Sequence, residues 1–216
     1  MERLVRACRG LDADLLALQE VDRGARRSGR IDQAAVIADR LGMACVFGPG
    51  KRVGFGNRGN ALLVRGTLTE VELLTLTGHL RLGRRDRRGV ILARVDVGEL
   101  AVSVAVAHLS TGVLDNVPQE RAVLDALAER PPPRLLLGDL NRRTAWVERP
   151  AAARGLALLD DDEPTFPRGR PRIRIDHVAS AGLAVTAPTV VDTGASDHCA
   201  LTVDVADPNL VAPGPH

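Results

Sequence analysis

Asp139 and Asn141 stand two residues apart behind a short apolar run, Leu135-Leu136-Leu137, that Gly138 closes. A triple proline ahead of the run and the glycine after it mark out a short buried strand. Residues i and i+2 of a strand point the same way, so the carboxylate and the amide are expected to project together from its end. A carboxylate can take a proton from water and an amide can hold an oxyanion, which together suit hydrolysis. Alone, the pair reads as an Asx turn leading into a helix. Company gives it chemical weight. Leu15 to Leu18 lead to Glu20, Val102 to Ala107 to His108, and Ile173 and Ile175 to Asp176-His177, while Asp197-His198 stand just ahead of Ala200-Leu201. Packing does not call for polar groups at the ends of buried strands, because burying them without partners costs free energy. Convergent, these ends assemble several carboxylates, an amide and imidazoles, a charge density that a divalent cation or a phosphate would balance. Oxygen-rich ligation without cysteine favours Mg²⁺ or Mn²⁺ over a structural zinc. His177 should face away from Asp176, its strand neighbour. Ser196-Asp197-His198 is no serine triad, because adjacent side chains diverge.

The elements that must position these residues follow from periodicity. Glu2 to Leu11, Ile31 to Leu41, Asp115 to Arg130 and Thr144 to Arg154 carry helical spacing. Strands are expected at Asp14 to Leu18, Met43 to Phe47, Asn60 to Val64, Glu70 to Leu76, Val90 to Val97, Leu100 to His108, Leu135 to Leu137, Arg172 to Val178, Ala184 to Val191 and Cys199 to Val205. Gly98-Glu99 reads as a tight hairpin, and Gly48 to Gly59 and Leu80 to Gly89 as variable loops, the first of them mobile. Many strands with few helices point to an α/β (α+β) sandwich of four layers, two packed mixed sheets with helices outside. One domain over residues 1–206 and a disordered Pro- and Gly-rich tail over 207–216 complete the expected organisation.

Composition narrows the partners. The chain has 216 residues with 45% hydrophobic content and a net charge of only +2, although 29 residues are basic; Lys51 is the single lysine. No apolar run approaches the ~20 residues of a membrane span. Arginine is the norm in a sequence of this bias, so its number says little, and only clustering bears on nucleic acid. Arg81, Arg84, Arg85, Arg87 and Arg88 form one run and Arg168, Arg170, Arg172 and Arg174 another; each reads as a solvated face or as the flank of a phosphate-rich substrate. Aromatic residues are 2% of the chain, too few for base stacking, which gives no support to a dedicated DNA-repair role. Cys8, Cys45 and Cys199 are scattered, lack metal-ligand spacing, and read as core or near-core residues outside any disulfide framework.

Six pieces in order resemble the endonuclease/exonuclease/phosphatase superfamily, the DNase I-like and exonuclease III-like fold. They are Leu16-Ala17-Leu18-Gln19-Glu20-Val21-Asp22, Gly59-Asn60-Ala61, Ala107-His108-Leu109, Gly138-Asp139-Leu140-Asn141, Ile175-Asp176-His177 and Ser196-Asp197-His198, spread over most of the chain. The resemblance implies hydrolysis of a phosphodiester or phosphomonoester by direct attack of water, with Mg²⁺ or Mn²⁺. It implies that Glu20 binds the metal with Asp197 close by, and that Asp139 aligns and deprotonates the water. Asn141 would hold a phosphate oxygen or that water. His108 and His198 would sit on the phosphate, and Asp176 would orient His198. Asn60 either lies near the phosphate or supports the turn after Gly59. The substrate would be nucleic acid or a lipid or sugar phosphate, the protein a monomer without a stable protein partner.

The family's first strand, which carries an asparagine metal ligand, has no counterpart here, because Met1-Glu2-Arg3 opens directly into the first helix. A gene start assigned too far downstream is the expected reason and a real N-terminal truncation the alternative, with weaker metal binding and a less stable fold than an extended chain would show. No signal peptide is visible, which favours the cytoplasm, or secretion if a signal was lost with that segment. The alternative to an enzyme is a degenerate relative that binds phosphorylated ligands without cleaving them.

Overall fold

A computed structural model describes residues 1–81, 84–159, 163–206 and 208; the side chains of residues 79–81 and 84–86 fall outside the description. The chain opens with α1 (Glu2–Gly10), β1 (Leu15–Arg23), α2 (Gln33–Leu41), β2 (Ala44–Val53), β3 (Gly56–Val64), β4 (Thr67–Arg81), β5 (Arg84–Val97) and β6 (Leu100–His108). It continues through α3 (Val113–Ala128), β7 (Arg134–Asp139), α4 (Thr144–Ala152), β8 (Ala157–Leu159) and β9 (Asp176–Ala181). Four short strands close it: β10 (Ala184–Val185), β11 (Thr189–Val191), β12 (Ala200–Thr202) and β13 (Val205–Ala206).

Two sheets carry the architecture. One is three-stranded and antiparallel, in the order β1-β3-β2; the other is six-stranded and mixed, β4-β5-β6-β7-β9-β8, with β6 and β7 parallel. Alternation along single strands shows how they stack. In β3, Leu62 and Val64 face Ile91, Val95, Val104, Val106, Leu135 and Val178 of the large sheet, forming the central core. Ala61 and Leu63, one residue out of step, meet Val5, Cys8, Ala34 and Ile37 of α1 and α2. On the far side of the large sheet, Leu92, Ala105, Ala107 and Leu136 pack on Val123, Leu124 and Leu127 of α3 and Val147 of α4. The result is four layers. Strands buried on both faces read as unbroken apolar runs, which is why Val102 to Ala107 shows so little polarity. Each fully buried Leu, Ile or Val contributes roughly 1.5–3 kcal/mol.

Several elements depart from expectation. Gly48 to Gly59 is not a loop but most of the β2–β3 hairpin, which turns at Gly54 and Phe55. Its glycines serve close approach: a Cβ on Gly59 would stand 2.1 Å from the Gly48 carbonyl oxygen. The Leu80 to Gly89 stretch is taken up largely by β4 and β5, with residues 82 and 83 outside the description. Arg172 to Ile175 precede β9 rather than belonging to it, and Thr186 to Pro188 break the strand expected over Ala184 to Val191. Pro188 has no N–H to give a ladder. The strand expected over Cys199 to Val205 is likewise divided, into β12 and β13. Cys45 is exposed, whereas Cys8 and Cys199 are buried; all three are free. Apart from Pro208, the tail expected over 207–216 lies outside the described residues. No helix among the described residues is long and apolar enough to cross a membrane.

Candidate active site

Sheet register builds the site. His108 at the end of β6 pairs with Asp139 at the end of β7, which pairs with Asp176 at the start of β9. Partners in register present their side chains on the same face, so an imidazole and two carboxylates stand in a row one strand spacing apart. The row depends on Gly138. Its φ is +147°, and a Cβ there would lie 1.9 Å from the Ala107 carbonyl oxygen, so any larger residue would push β7 away from β6.

Asp139 is buried, and its Oδ2 lies 3.4 Å from His108 Nε2. Asn141 reaches it by a different route from the strand alternation expected. It sits beyond β7 in the left-handed region, φ +52°, so its backbone N–H donates to Asp139 Oδ1 (2.8 Å) as in an Asx turn. Its side-chain amide donates to the Leu109 carbonyl (2.9 Å) and to Asp139 Oδ2 (3.3 Å), tying the loop after β7 to the loop after β6. Asp176 Oδ2 accepts from Thr165 Oγ1 at 2.5 Å and from His198 Nδ1 at 2.8 Å. The 163–168 segment also anchors the His198 loop: Cys199 N donates to Thr165 O, Arg168 N to Asp197 O, and the Phe166 ring lies 4.6 Å from the His198 ring.

These neighbours set the electrostatics. Burial, reinforced by the charge of Asp176, pushes the Asp139 carboxyl up to about 7, against the pull of the Asn141 N–H, His198 and Arg88. His198 is drawn down by burial, but its hydrogen bond to Asp176 and the charges of Asp176, Asp139 and Asp197 outweigh that and raise it. A carboxyl poised near neutrality is suited to exchange a proton with water, and a charged imidazole to face an anion. Asp139, Asp176 and His198 each offer one donor atom, and these lie within 4.8 Å of one another, a set that could hold a cation. The two carboxylates suit a hard cation, and an ion there would counter the Asp176 charge that adds to burial in raising Asp139.

His108, Asp139, Asn141, Asp176 and His198 therefore come together. Glu20 and Asp197 are not members of the donor cluster. Glu20 lies not at a strand tip but within β1, where the register shifts between Leu18 and Val21 and its φ is +58°. Its exposed carboxylate pairs with Arg58 Nη1 at 2.7 Å. Asp197 is exposed in the loop before His198. Asn60 is buried, and its amide donates to the Gly89 carbonyl at 2.7 Å. His177 faces away as expected, its Nε2 2.7 Å from the Arg142 carbonyl. Arg174 is buried and donates to the Glu163 carbonyl, so the second arginine run is not uniformly a solvated face.

Sequence reading missed Thr165, Phe166 and Asn116. Asn116 Nδ2 donates to both Ser110 O (2.6 Å) and Leu140 O (2.8 Å), fastening α3 to the loops after His108 and Asp139. A buried-side polar residue in an otherwise amphipathic helix was the available signal; Thr165, inside a Pro-Thr-Phe-Pro turn, gave none beyond its hydroxyl.

A family model described as the Endonuclease/Exonuclease/phosphatase family matches residues 1–198. The chain belongs to that family. Solved structures bear out its DNase I-like fold. An endonuclease/exonuclease/phosphatase family protein from Leptotrichia buccalis C-1013-b superposes with a TM-score of 0.73 at 17% identity, covering 95% of this chain and 92% of that one. ANGEL2, a 2′,3′-cyclic phosphatase in complex with adenosine-2′,3′-vanadate, gives 0.72 at 16% identity, with 95% and 85% covered. A mannosyl-6-phosphatase of Bacteroides thetaiotaomicron VPI-5482 gives 0.70 at 14%, with 94% and 89% covered. No curated protein matches the sequence. At these identities the likeness is one of fold, the phosphoesterase fold of the family, on which neighbours with different phosphate substrates are built.

Proposed function

We propose that residues 1–206 form one catalytic domain, acting as a monomer, that hydrolyses a phosphodiester or phosphomonoester by direct attack of water with a divalent cation, Mg²⁺ or Mn²⁺. The observation that carries this is Asp139: a buried carboxyl held near 7 in register between His108 and Asp176. Asp139 takes the proton of the attacking water, and Asn141, bonded to Asp139 through its backbone N–H, keeps that carboxylate aimed. His198, charged and oriented by Asp176, meets the negative charge that grows on the phosphate oxygens, with His108 at the other end of the row. Glu20 and Asp197 would hold the cation, which requires Glu20 to exchange Arg58 for it. A bound divalent cation supplies positive charge against the phosphate. The substrate is a nucleic acid, or a lipid or sugar phosphate.

A second reading, a phosphate binder without turnover, draws on the Glu20–Arg58 pair, which occupies a carboxylate the metal needs. Asp139 argues against it, since a binder gains nothing from a buried acid poised near neutrality. Hydrolysis of bis(4-nitrophenyl) phosphate, with and without Mg²⁺ or Mn²⁺, beside Asp139→Ala, separates the two. Cation-dependent turnover lost in the variant is the expected outcome; a folded protein inactive with either cation would refute the enzyme reading.

A further inference from the structure

The row does not end at His108. In the β5–β6 pairing Ile91 stands opposite Val106, so running that antiparallel register on brings Gly89 opposite His108 and Arg88 diagonal to it. Arg88 Nη1 lies 3.0 Å from His108 Nε2. Four adjacent strands thus contribute Arg88, His108, Asp139 and Asp176 in sequence across the sheet edge. The arginine's backbone is fixed from the opposite sheet: Asn60 on β3, 2% exposed, donates its side-chain amide to the carbonyl of Gly89, the next residue.

A guanidinium has donors only and keeps its charge, so the contact sets a fixed cation beside the His108 ring. The permanent cation at that end is Arg88, whose planar fork suits phosphate oxygens, and which also acts on the charge balance of Asp139. We propose, resting on the phosphoesterase reading, that Arg88 is a catalytic residue that grips the substrate phosphate at the His108 end of the row, and that Asn60 positions it through Gly89.

The test compares the parent protein with Arg88→Ala, Arg88→Lys and Asn60→Ala, each checked for native circular dichroism. Two readouts are taken: hydrolysis of bis(4-nitrophenyl) phosphate with Mn²⁺, and binding of inorganic phosphate by calorimetry. Arg88→Ala is expected to lose about 100-fold in kcat/KM and to bind phosphate about tenfold more weakly. Added guanidinium chloride at non-denaturing concentration should restore part of the Arg88→Ala activity, which it would not do for a merely structural defect. Arg88→Lys keeps the charge without the fork and should fall between, as should Asn60→Ala. Activity and phosphate affinity of Arg88→Ala both within about twofold of the parent overturn the assignment. If the parent binds phosphate without turning over substrate, the hydrolase reading fails and affinity alone judges Arg88: weakening upholds it, no change overturns it. A parent that neither turns over substrate nor binds phosphate overturns both, and in a parent that turns over without binding phosphate kcat/KM alone judges Arg88 by the same twofold limit.

Discussion

Replacing Asp139 by asparagine should destroy activity and stabilise the metal-free fold, and the size of the second effect follows from the electrostatics of the site. In an unfolded chain an aspartate titrates near 3.9, to an order of magnitude set by model peptides. Folded, burial and the charge of Asp176 lift Asp139 to about 7. Between these values the native state holds a proton that the unfolded state has released, so stability falls as pH rises through that window and is level above it. Three units at about 1.4 kcal/mol each give a loss approaching about 4 kcal/mol by pH 8, of the order of a sizeable part of a domain's whole stability. The amide of the Asp139→Asn variant has no such proton to lose. Its carbonyl oxygen can still accept from the Asn141 N–H, so the loop geometry survives. Urea denaturation followed by circular dichroism, with chelator present, at pH 5 and pH 8 measures the effect. Groups common to both proteins cancel in the comparison, leaving a parent that weakens between the two pH values more than the variant, and a variant more stable at pH 8. Adding Mn²⁺ at 100 times its dissociation constant should return about 2.7 kcal/mol to the parent and less to the variant. A variant no more stable than the parent at pH 8 would refute the account of Asp139 as a buried, repelled carboxylate.

Three further outcomes are expected. Asp176→Asn removes the charge and the strongest acceptor beside His198, so the imidazole should lose its proton at lower pH, and Asp139 should shift down with it; NMR titration of both side chains would show neither moving if the row were wrongly read. Gly138→Ala forces a methyl onto the Ala107 carbonyl at a left-handed φ and should cost about 3 kcal/mol or more in denaturant midpoint terms, with an unperturbed midpoint excluding the close β6–β7 approach. Glu20→Gln should weaken Mn²⁺ binding by about tenfold in calorimetry, because it withdraws a carboxylate from a hard cation. Unchanged affinity would place the cation on the Asp139, Asp176 and His198 donors alone.

Much of this molecule is written in its sequence. Alternation in β3, where Leu62 and Val64 face one layer and Ala61 and Leu63 the other, fixes which residues share a layer, because a pleated strand leaves no freedom in that assignment. The polar ends of apolar runs, His108, Asp139 and Asp176, are legible for the same reason: a buried strand tolerates charge only where it emerges. Glycine is the poorer guide. Gly48 and Gly59 read as flexibility and are contacts, a difference that depends on a neighbour eleven residues away rather than on local propensity. What only the tertiary structure decided is which groups meet. Arg88 reaches His108 across 20 residues, Glu20 takes Arg58 across 38, and Thr165 reaches Asp176 through a turn with no period of its own. Periodicity tells a side chain's face but not the strand that will lie beside it. The strand order β4-β5-β6-β7-β9-β8 sets that, and with it the repulsion between Asp139 and Asp176 that helps an ordinary aspartate titrate near neutrality.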